Sequence, residues 1–356
     1  MDFNKVRVAV VGVGHLGSIH ANLYKQVPEA ELVGVFDINQ ETCSRISGEL
    51  NVKAFQSLEE LWPEVDAVNI VTPTTTHFDL AMKALQNNKH VFIEKPVTDK
   101  VFQAYDLKNY AEHKGLKIQI GHIERFNPAV LALRDVQIHP LFIEAHRLAT
   151  FKPRGTDVAV VLDLMIHDID LILKMVKSEP VKISANGVGV VSSNVDIANA
   201  RIEFKNGCVA NLTASRISAK KMRKMRIFQK DAYISMDFNE GVSEIFYLED
   251  DEHPIFENGT LALSLGEIEL GQLKREIKYN RLKRDQVNPL QEELISFIDA
   301  VKNDLEPVVT IQDGINALNL AQKVLKEIKR HQQYTRQQMG LDIHQPEAVK
   351  KDESPD

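Results

Sequence analysis

The chain has 356 residues, of which 44% are hydrophobic and 26% charged, and its net charge is −7. A chain of this length usually forms two domains with sizeable cores, and its negative charge argues against a protein that coats nucleic acid. No apolar run reaches the roughly 18 residues of a membrane span. The only two cysteines, Cys43 and Cys208, are far apart, and the N-terminus enters a strand without a signal peptide. We therefore expect a cytoplasmic protein without disulfides.

The first third of the chain alternates between buried strands and amphipathic helices. The strands are predicted at 6–11, 31–36, about 53–55, 66–72, 90–95 and 116–121. The helices are predicted at about 15–26, 40–50, 57–61, 77–86 and 99–113. This alternation is typical of a doubly wound parallel sheet, so the fold class is α/β, with a Rossmann domain over 1–123.

After this domain the pattern changes to strands that follow one another. A helix opened by Pro128 leads to strand-like segments at 141–148, 181–191, 200–218 and 225–237, with a long helix at 158–176 among them. Asn206-Gly207 predicts a hairpin turn with positive φ at both residues. Residues 239–288 indicate strands and loops. We expect an α+β domain over 124–335, built on a large, open and mainly antiparallel sheet.

Two amphipathic helices, at 289–302 and 313–331, close the sequence, and they are expected to pack back on the first domain. The last stretch, 336–356, is polar and has no apolar period, which predicts a mobile tail.

A glycine turn follows the first strand. Gly12, Gly14 and Gly17 form a G-x-G-x-x-G pattern between strand and helix, where a tight turn, a close approach to a pyrophosphate and close helix packing each need glycine. Asp37 ends the second strand, twenty residues past Gly17, where an acid bonds both ribose hydroxyls and repels a 2′-phosphate. The pattern predicts NAD in preference to NADP; the alternative is an ordinary turn beside a solvated aspartate. His15 and Leu16 lie within the turn and belong to the same predicted site.

Further polar residues follow the fourth and fifth strands, at Thr72-Pro73 and Glu94-Lys95-Pro96. Ligands bind at the carboxyl ends of parallel strands, so these residues are expected at the crevice that the glycine turn also lines. The Lys95 ammonium is placed to hold a hydroxyl or carbonyl oxygen of a substrate. The alternative is a surface lysine at the end of a strand.

The long helix carries a second constellation. Asp163 and His167 are four residues apart, so they share a helix face. A carboxylate beside a histidine fixes its tautomer and raises its basicity, as a general base requires. The alternatives are a helix ion pair or two metal ligands. No third ligand follows at zinc-like spacing, so no metal is expected.

Several basic residues suggest anion binding, although each also fits a solvated surface. They are the run Lys220-Lys-Met-Arg-Lys-Met-Arg and the two arginines that flank a loop, Arg147 and Arg154. Another polar group follows the sixth strand and either lines the cleft or ties the chain together there. It comprises His122, Glu124, Arg125 and Asn127.

The Glu94-Lys95-Pro96 triplet, Asp163-x-x-x-His167 and Thr72-Pro73-Thr74-x-x-His77 together resemble the Gfo/Idh/MocA family of NAD(P)-dependent sugar dehydrogenases. The resemblance runs from about Val6 to His331. It implies that the glycine turn and Asp37 bind the dinucleotide and that the family forms dimers or tetramers through the open face of the second sheet. By the same resemblance, Thr72, Pro73 and His77 line the nicotinamide side, Glu94 lies near its ribose, and the catalytic group is Lys95, Asp163 and His167.

Two stretches, 121–128 and 154–170, are similar to a branch of this family that oxidises the 3-hydroxyl of UDP-N-acetylglucosamine. That 3-keto product passes to an aminotransferase, on the way to the diamino sugar of lipid A. The similarity makes His122, Arg125, Asn127 and Arg154 candidates for substrate binding, with Arg154 and the basic run at the diphosphate. The competing hypotheses are a dehydrogenase of a free sugar or inositol, and a regulator that senses a dinucleotide without catalysis.

Overall fold

A computed structural model describes residues 5–151, 158–248, 255–256, 262–270, 273–284 and 287–339. The chain divides into two compact units, one formed by residues 1–128 and 285–319 and the other by residues 129–284 and 320–356. Within the ranges just given, no helix is both long and apolar enough to cross a membrane.

The strands, in chain order, are β1 (Val6–Val11), β2 (Ala30–Phe36), β3 (Lys53–Ala54), β4 (Ala67–Ile70), β5 (His90–Glu94), β6 (Ile118–Gly121), β7 (Phe142–Leu148), β8 (Pro180–Val188), β9 (Ile197–Phe204), β10 (Val209–Ser215), β11 (Met222–Gln229), β12 (Ala232–Asp237), β13 (Val242–Leu248), β14 (Leu263–Leu270) and β15 (Leu273–Lys283). The helices are α1 (His15–Tyr24), α2 (Gln40–Leu50), α3 (Leu58–Leu61), α4 (His77–Gln86), α5 (Val101–Lys114), α6 (Pro128–Leu131), α7 (Ile166–Val176), α8 (Pro289–Lys302) and α9 (Ile311–Met339).

The first unit is built on a parallel sheet with the strand order β3-β2-β1-β4-β5-β6. This is the order of a dinucleotide-binding sheet, with its switch point between β1 and β4. The predicted doubly wound α/β domain is therefore confirmed. At this switch point the loops after the two strands diverge and leave a crevice for a ligand.

Local signals set the helix boundaries of this unit. Asn39 caps α2 by accepting a hydrogen bond from the Thr42 amide (2.9 Å), and Ser57 caps α3 by accepting one from Glu60 (3.3 Å). Gly115, at φ 68°, ends α5 in the left-handed conformation that glycine adopts readily. The predicted bounds of α2, α4 and α8 are confirmed at both ends.

One apolar core joins the N-terminal strands to a helix from near the other end of the chain. Val8 and Val10 of β1 belong to the same buried cluster as Leu294 and Phe297 of α8. The Phe297 ring meets the Phe92 ring of β5 edge to face, with centroids 5.8 Å apart. The far C-terminal segment thereby completes the core of the first unit.

The second unit is built on a sheet with the strand order β14-β15-β13-β12-β11-β7-β10-β9-β8. Neighbouring strands are antiparallel except for β7 and β10, so the predicted mainly antiparallel sheet is confirmed. Side chains along β7, β9 and β10 alternate between buried and more exposed. One face of the sheet is thus covered, partly by α7, and the other is open.

An aromatic row crosses the open face from β7 to β15. Successive ring centroids are 5.6, 5.0, 5.9 and 4.8 Å apart. The row consists of Phe142, Phe228, Tyr233, Phe246 and Tyr279. Such cross-strand pairs fix the register of neighbouring strands.

Two turn predictions need correction. The segment 225–237 is two strands, β11 and β12, because the chain reverses at Asp231, which has φ 61°. The Asn206-Gly207 hairpin is present, but only Gly207 has positive φ (88°). The Gly207 amide donates to Phe204 O (2.9 Å), so a three-residue connection replaces the expected two-residue turn.

Two helices also differ from their predicted form. The predicted helix 158–176 is a π-helical segment, Val161–Met165, followed by α7. The last helix, α9, continues beyond 331 to Met339, because its polar residues 332–339 keep helical backbone bonding. Part of the predicted mobile tail is therefore helical, and residues 340–356 lie outside the described residues.

Gly17 tests how α1 packs on the turn before it. A Cβ at Gly17 would lie 1.8 Å from the carbonyl oxygen of Gly12, whereas a Cβ at Gly48 in α2 meets no described atom within 4 Å. We expect Gly17→Ala to lower the free energy of unfolding by about 1–3 kcal/mol through overpacking. Gly48→Ala, the matched control, is expected to be neutral or stabilising. Denaturant titration of both variants checks this, and equal stabilities would contradict the packing argument.

Candidate functional site

The glycine turn lies directly at the end of β1. Gly12, at φ 86°, donates a hydrogen bond to Phe36 O (2.8 Å), and a Cβ there would come within 2.6 Å of Thr72. Gly14 is different, because no described atom lies within 4 Å of the Cβ that an alanine would carry. The turn is thus packed tightly against the loop after β4 and open at Gly14.

This opening suits an anion. Helix α1 begins after Gly14, which has no side chain to cap it, and its first turn contains His15 and Leu16, both exposed. The free amides and positive dipole end of such a helix attract phosphate. The residues present therefore fit the pyrophosphate of a dinucleotide.

Asp37 lies beside the same turn. One oxygen accepts a hydrogen bond from the Val13 amide (2.8 Å) and the other accepts one from the Asn39 amide (2.9 Å). These bonds orient the carboxylate and leave lone pairs that can accept from two hydroxyl groups. The next residue, Ile38, is 91% exposed, which gives an apolar surface next to the acid. This arrangement fits an adenosine ribose.

Glu94 ends β5 and is held by a buried polar chain. Its Oε1 is 3.3 Å from Nε2 of His20, and Nδ1 of His20 is 3.0 Å from Nδ2 of Asn69, which also lies 3.2 Å from the Tyr24 hydroxyl. Burial raises the pKa of Glu94, but the hydrogen bond to His20 and the charge of Lys95 outweigh it and hold the pKa below its ordinary value. Glu94 is therefore a fixed carboxylate.

Gly121 at the end of β6 provides the space for that carboxylate. A Cβ at Gly121 would lie 2.9 Å from the Glu94 carboxyl group. Lys95 follows immediately, partly buried, with its amide donating to Glu94 (3.1 Å) and a cis peptide bond to Pro96. Glu94 and Lys95 thus lie at the carboxyl edge of the sheet, as predicted.

His77 connects two of the loops at this edge. Its Nδ1 is 3.0 Å from Pro96 O and its Nε2 is 2.9 Å from Thr72 O. The side chain is 1% exposed. Burial lowers the pKa of His77 below its ordinary value of 6.5, so the ring is neutral at neutral pH. A neutral imidazole has one N–H, so His77 donates a hydrogen bond to one of these two carbonyl oxygens and lies in contact with the other. The ring thus packs between the backbone after β4, next to Thr72 and Pro73, and the backbone after β5.

The three polar candidates after β6 are buried and engaged by the first unit. Arg125 lies 3.3 Å from Asp313, and Asn127 donates to Glu124 (3.1 Å). His122 is 1% exposed. Burial raises the pKa of Asp313, but the Arg125 charge and the hydrogen bonds from Thr310 outweigh it, so the pKa is lowered. These contacts tie the segment after β6 to the start of α9.

Asp163 lies in the π-helical segment that precedes α7, and His167 lies in the first turn of α7. Single π turns are frequent at functional sites. Asp163 is 3.8 Å from Arg216, whose guanidinium also hydrogen-bonds Val158 O and lies 4.0 Å from the buried Asp196. Asp163 is 38% exposed and His167 is partly buried, so a carboxylate and an imidazole four residues apart are held on one segment.

Arg147 does not form the suggested anion site. Its guanidinium makes a two-point ion pair with Asp168 (2.9 and 2.8 Å), and both side chains are 3% exposed. The arginine therefore neutralises a buried carboxylate of α7. The other arginine of that prediction, Arg154, lies outside the described residues. Among those that are described, no group of three or more His, Cys, Asp or Glu residues is placed to hold a metal ion.

Sequence reasoning missed His20, Asn69 and Arg216. A signal existed for the first two, since a histidine on the apolar side of α1 and an asparagine inside the apolar run of β4 both require buried partners. Arg216 had no such signal, because Asp163 is 53 residues away and only the packing of β10 against the π-helical segment brings them together.

Comparison with known proteins gives a family match in each of the two units. Residues 6–122 match the model of an oxidoreductase family with an NAD-binding Rossmann fold, and residues 137–235 match the C-terminal domain model of the Gfo/Idh/MocA group. The chain belongs to the Gfo/Idh/MocA family of oxidoreductases.

Two relatives, one from Acidithiobacillus ferrooxidans and one from Bacillus subtilis, are named as dehydrogenases of particular substrates. The chain is 45% identical to a UDP-N-acetylglucosamine 3-dehydrogenase of A. ferrooxidans, over 68% of this chain and 77% of that protein. It is 31% identical to a scyllo-inositol 2-dehydrogenase of B. subtilis, over 60% and 68%.

The solved structure of the A. ferrooxidans enzyme superposes with a TM-score of 0.80 at 36% identity, covering 92% of this chain and 98% of that one. A probable dehydrogenase from Thermotoga maritima, at 24% identity and a TM-score of 0.73, shares the fold. The family's Rossmann fold and dehydrogenase character thus extend to this chain.

His77 makes stability depend on pH. The folded protein keeps His77 neutral, whereas the unfolded chain takes up a proton near pH 6.5, so stability is present above 6.5 and is lost as pH falls below it. The His77→Gln variant has no imidazole at this position and therefore lacks this pH-dependent loss of stability. We expect its free energy of unfolding to fall less steeply from pH 7.5 to 5.5 than that of the wild type, by up to about 1.4 kcal/mol per pH unit.

The exposed His113 of α5 supplies the matched control. His113→Gln should leave the pH slope of stability unchanged. Denaturant titrations at several pH values measure both slopes, and parallel curves for wild type and His77→Gln would refute the role of His77.

Proposed function

We propose that the protein is an NAD-dependent dehydrogenase that oxidises the 3-hydroxyl of UDP-N-acetylglucosamine to a 3-keto nucleotide sugar. The observation that carries this proposal is the 45% identity to an enzyme of that name, against 31% to an inositol dehydrogenase over a similar length. The glycine turn with Asp37, the Glu94-Lys95 pair and the Asp163–His167 segment supply the chemical groups that such an oxidation needs.

The cofactor is expected to be NAD rather than NADP. Asp37 carries its negative charge where a 2′-phosphate would lie, and two backbone amides prevent the carboxylate from turning away. Gly14 leaves room for the pyrophosphate at the start of α1. The family resemblance places Glu94 near the nicotinamide ribose. NAD, when bound, supplies the acceptor for the hydride that leaves the sugar carbon.

Lys95, Asp163 and His167 form the proposed catalytic group. Asp163 orients His167, which takes the hydroxyl proton, while Lys95 hydrogen-bonds the same oxygen and stabilises the charge that develops on it. Lys95 is the alternative base, because in this proposal both side chains reach the same hydroxyl oxygen. Arg216, which contacts Asp163, keeps that carboxylate in place.

Two other functions remain as alternatives. The first is a dehydrogenase that oxidises a free sugar or inositol, and the relatives named inositol 2-dehydrogenase favour it. A regulator that senses a dinucleotide would need only the first unit's crevice, and the retention of Lys95, Asp163 and His167 together argues against it.

The physiological setting follows from the same proposal. The 3-keto product would be used by a partner aminotransferase on the route to the diamino sugar of lipid A, in the cytoplasm. Cys43 and Cys208 are buried free thiols, which fits a reducing compartment. The aromatic row on the open face of the second sheet supplies an apolar surface for a homodimer or homotetramer.

The substrate is tested by mixing purified protein with NAD and UDP-N-acetylglucosamine and following NADH absorbance. An aminotransferase with glutamate removes the keto product and draws the reaction forward. We expect reduction with the UDP sugar and none with N-acetylglucosamine, glucose or inositol. Turnover of inositol but not of the UDP sugar would show that the substrate is a free polyol. Tight NAD binding without turnover of any tested compound would favour a regulator that senses the dinucleotide.

The same assay tests the catalytic lysine. Lys95→Ala is expected to lower kcat about 100-fold or more while NAD affinity changes little, because the lost interaction acts on the reacting oxygen. Lys114→Ala, an exposed lysine at the end of α5, serves as the matched control. Full activity in Lys95→Ala would sink the mechanism.

The cofactor preference is tested at Asp37. Asp37→Ala should weaken NAD binding by about tenfold or more, since it removes two charge-assisted hydrogen bonds, and should improve NADP binding by removing the repulsion. Fluorescence titration with both cofactors measures this, with Asp106→Ala on α5 as a control. An unchanged NAD-to-NADP ratio would contradict the role of Asp37.

A further inference from the structure

The second unit contains a cavity of about 370 Å³ next to Asp163. This volume lies within the range of small-molecule sites. Its lining includes the apolar residues Leu148 and Leu164 and four charged residues. The charged residues are Asp163, Arg216, Lys221 and Arg223. Among the described lining residues, three cations against one carboxylate give a net positive charge, which favours an anionic ligand.

The structure divides the basic run 220–226 between the two faces of the sheet. On the open face, Lys224 pairs with Asp237 (3.0 Å) and Arg226 pairs with Glu144 (2.9 Å). Arg223 has the opposite parity, which it shares with the fully buried Met225, so it lies on the covered face. Lys221 comes directly before β11, and both residues line the cavity.

Arg216 and Lys221 contribute differently to this cavity. Arg216 is buried, and its guanidinium is fixed by Val158 O and by Asp163. Lys221 is exposed and directly precedes β11, where a long side chain can adjust to a ligand. Asn239, in the turn after β12, lines the same cavity and adds an amide donor. The cavity thus combines a fixed cation, Arg216, with a cation that can adjust to a ligand, Lys221.

We infer that this cavity is the subsite for the diphosphate of the substrate, with Lys221 and Arg223 as its binding cations. The inference rests on the proposed function. It favours a nucleotide sugar over the alternative substrates, because a free sugar or inositol has no anionic group for these two cations to bind. In a 3-hydroxyl oxidation the diphosphate is on C1, two ring carbons from the reacting carbon. A cavity lined both by Asp163 and by Lys221 and Arg223 matches this chemistry.

The test compares Lys221→Gln/Arg223→Gln with Lys224→Gln/Arg226→Gln, which removes the same charges from the open face. We expect the first double variant to raise the KM for UDP-N-acetylglucosamine about tenfold or more, with kcat within about twofold of wild type. Its KM should also lose most of the wild type's increase with salt. The control should match the wild type in both respects, with oligomeric state and thermal stability checked for each protein.

Calorimetry with UDP and with glucose 6-phosphate separates this inference from the proposed function. UDP should bind the wild type and the control but bind the Lys221/Arg223 variant at least tenfold more weakly. That result supports the subsite even if UDP-N-acetylglucosamine proves not to be oxidised, which would overturn only the proposed function. Equal UDP binding by both double variants, no UDP binding by the wild type, or binding of glucose 6-phosphate but not of UDP would each overturn the subsite.

Discussion

The contact between Gly17 and the carbonyl of Gly12 sets the position of α1, and much of the first unit depends on it. With no Cβ at Gly17, the helix can lie directly on the turn that follows β1. That position brings His20, one turn further along, to Glu94 at the end of β5. It also holds the turn beside Asp37, whose carboxylate accepts the Val13 amide. One close backbone approach therefore places the start of α1, the Asp37 carboxylate and the fixed carboxylate of Glu94 at the same edge of the sheet.

Three buried or half-buried carboxylates are compensated within the unit that contains them. Glu94 has His20 as a partner, Asp313 has Arg125, and Asp168 has Arg147. Breaking a buried ion pair by removing one partner commonly costs roughly 3–5 kcal/mol. Arg125 and Arg147 therefore serve to stabilise the fold. This explains why Arg147, which looks like an anion site in the sequence, is not one. Arg216, Lys221 and Arg223 line the cavity beside Asp163 instead.

The two faces of the second sheet are specialised in different ways. The open face carries the aromatic row and the ion pairs of Lys224 and Arg226. The covered face carries the buried Met225 and, beyond it, the cavity with Asp163 and Arg223. Because side chains of a strand alternate between faces, β11 contributes to both surfaces with residues that are adjacent in the chain. A single basic run therefore places charged side chains on both faces of the sheet.

The sequence by itself determined the α/β class, the strand–turn–helix start, the bounds of α2, α4 and α8, and the mainly antiparallel second sheet. These follow from local periodicity, capping residues and glycines, which act over a few neighbouring positions. Tertiary structure alone decided the Glu94–His20–Asn69 chain, the link from His77 to two loops, the pairing of Arg147 with Asp168, and the division of the basic run. Each depends on residues distant in sequence or on the face that a strand presents, and neither is encoded in local spacing. The π-helical segment at Asp163 belongs to the same group, since helical periodicity does not distinguish it from an ordinary turn of α-helix.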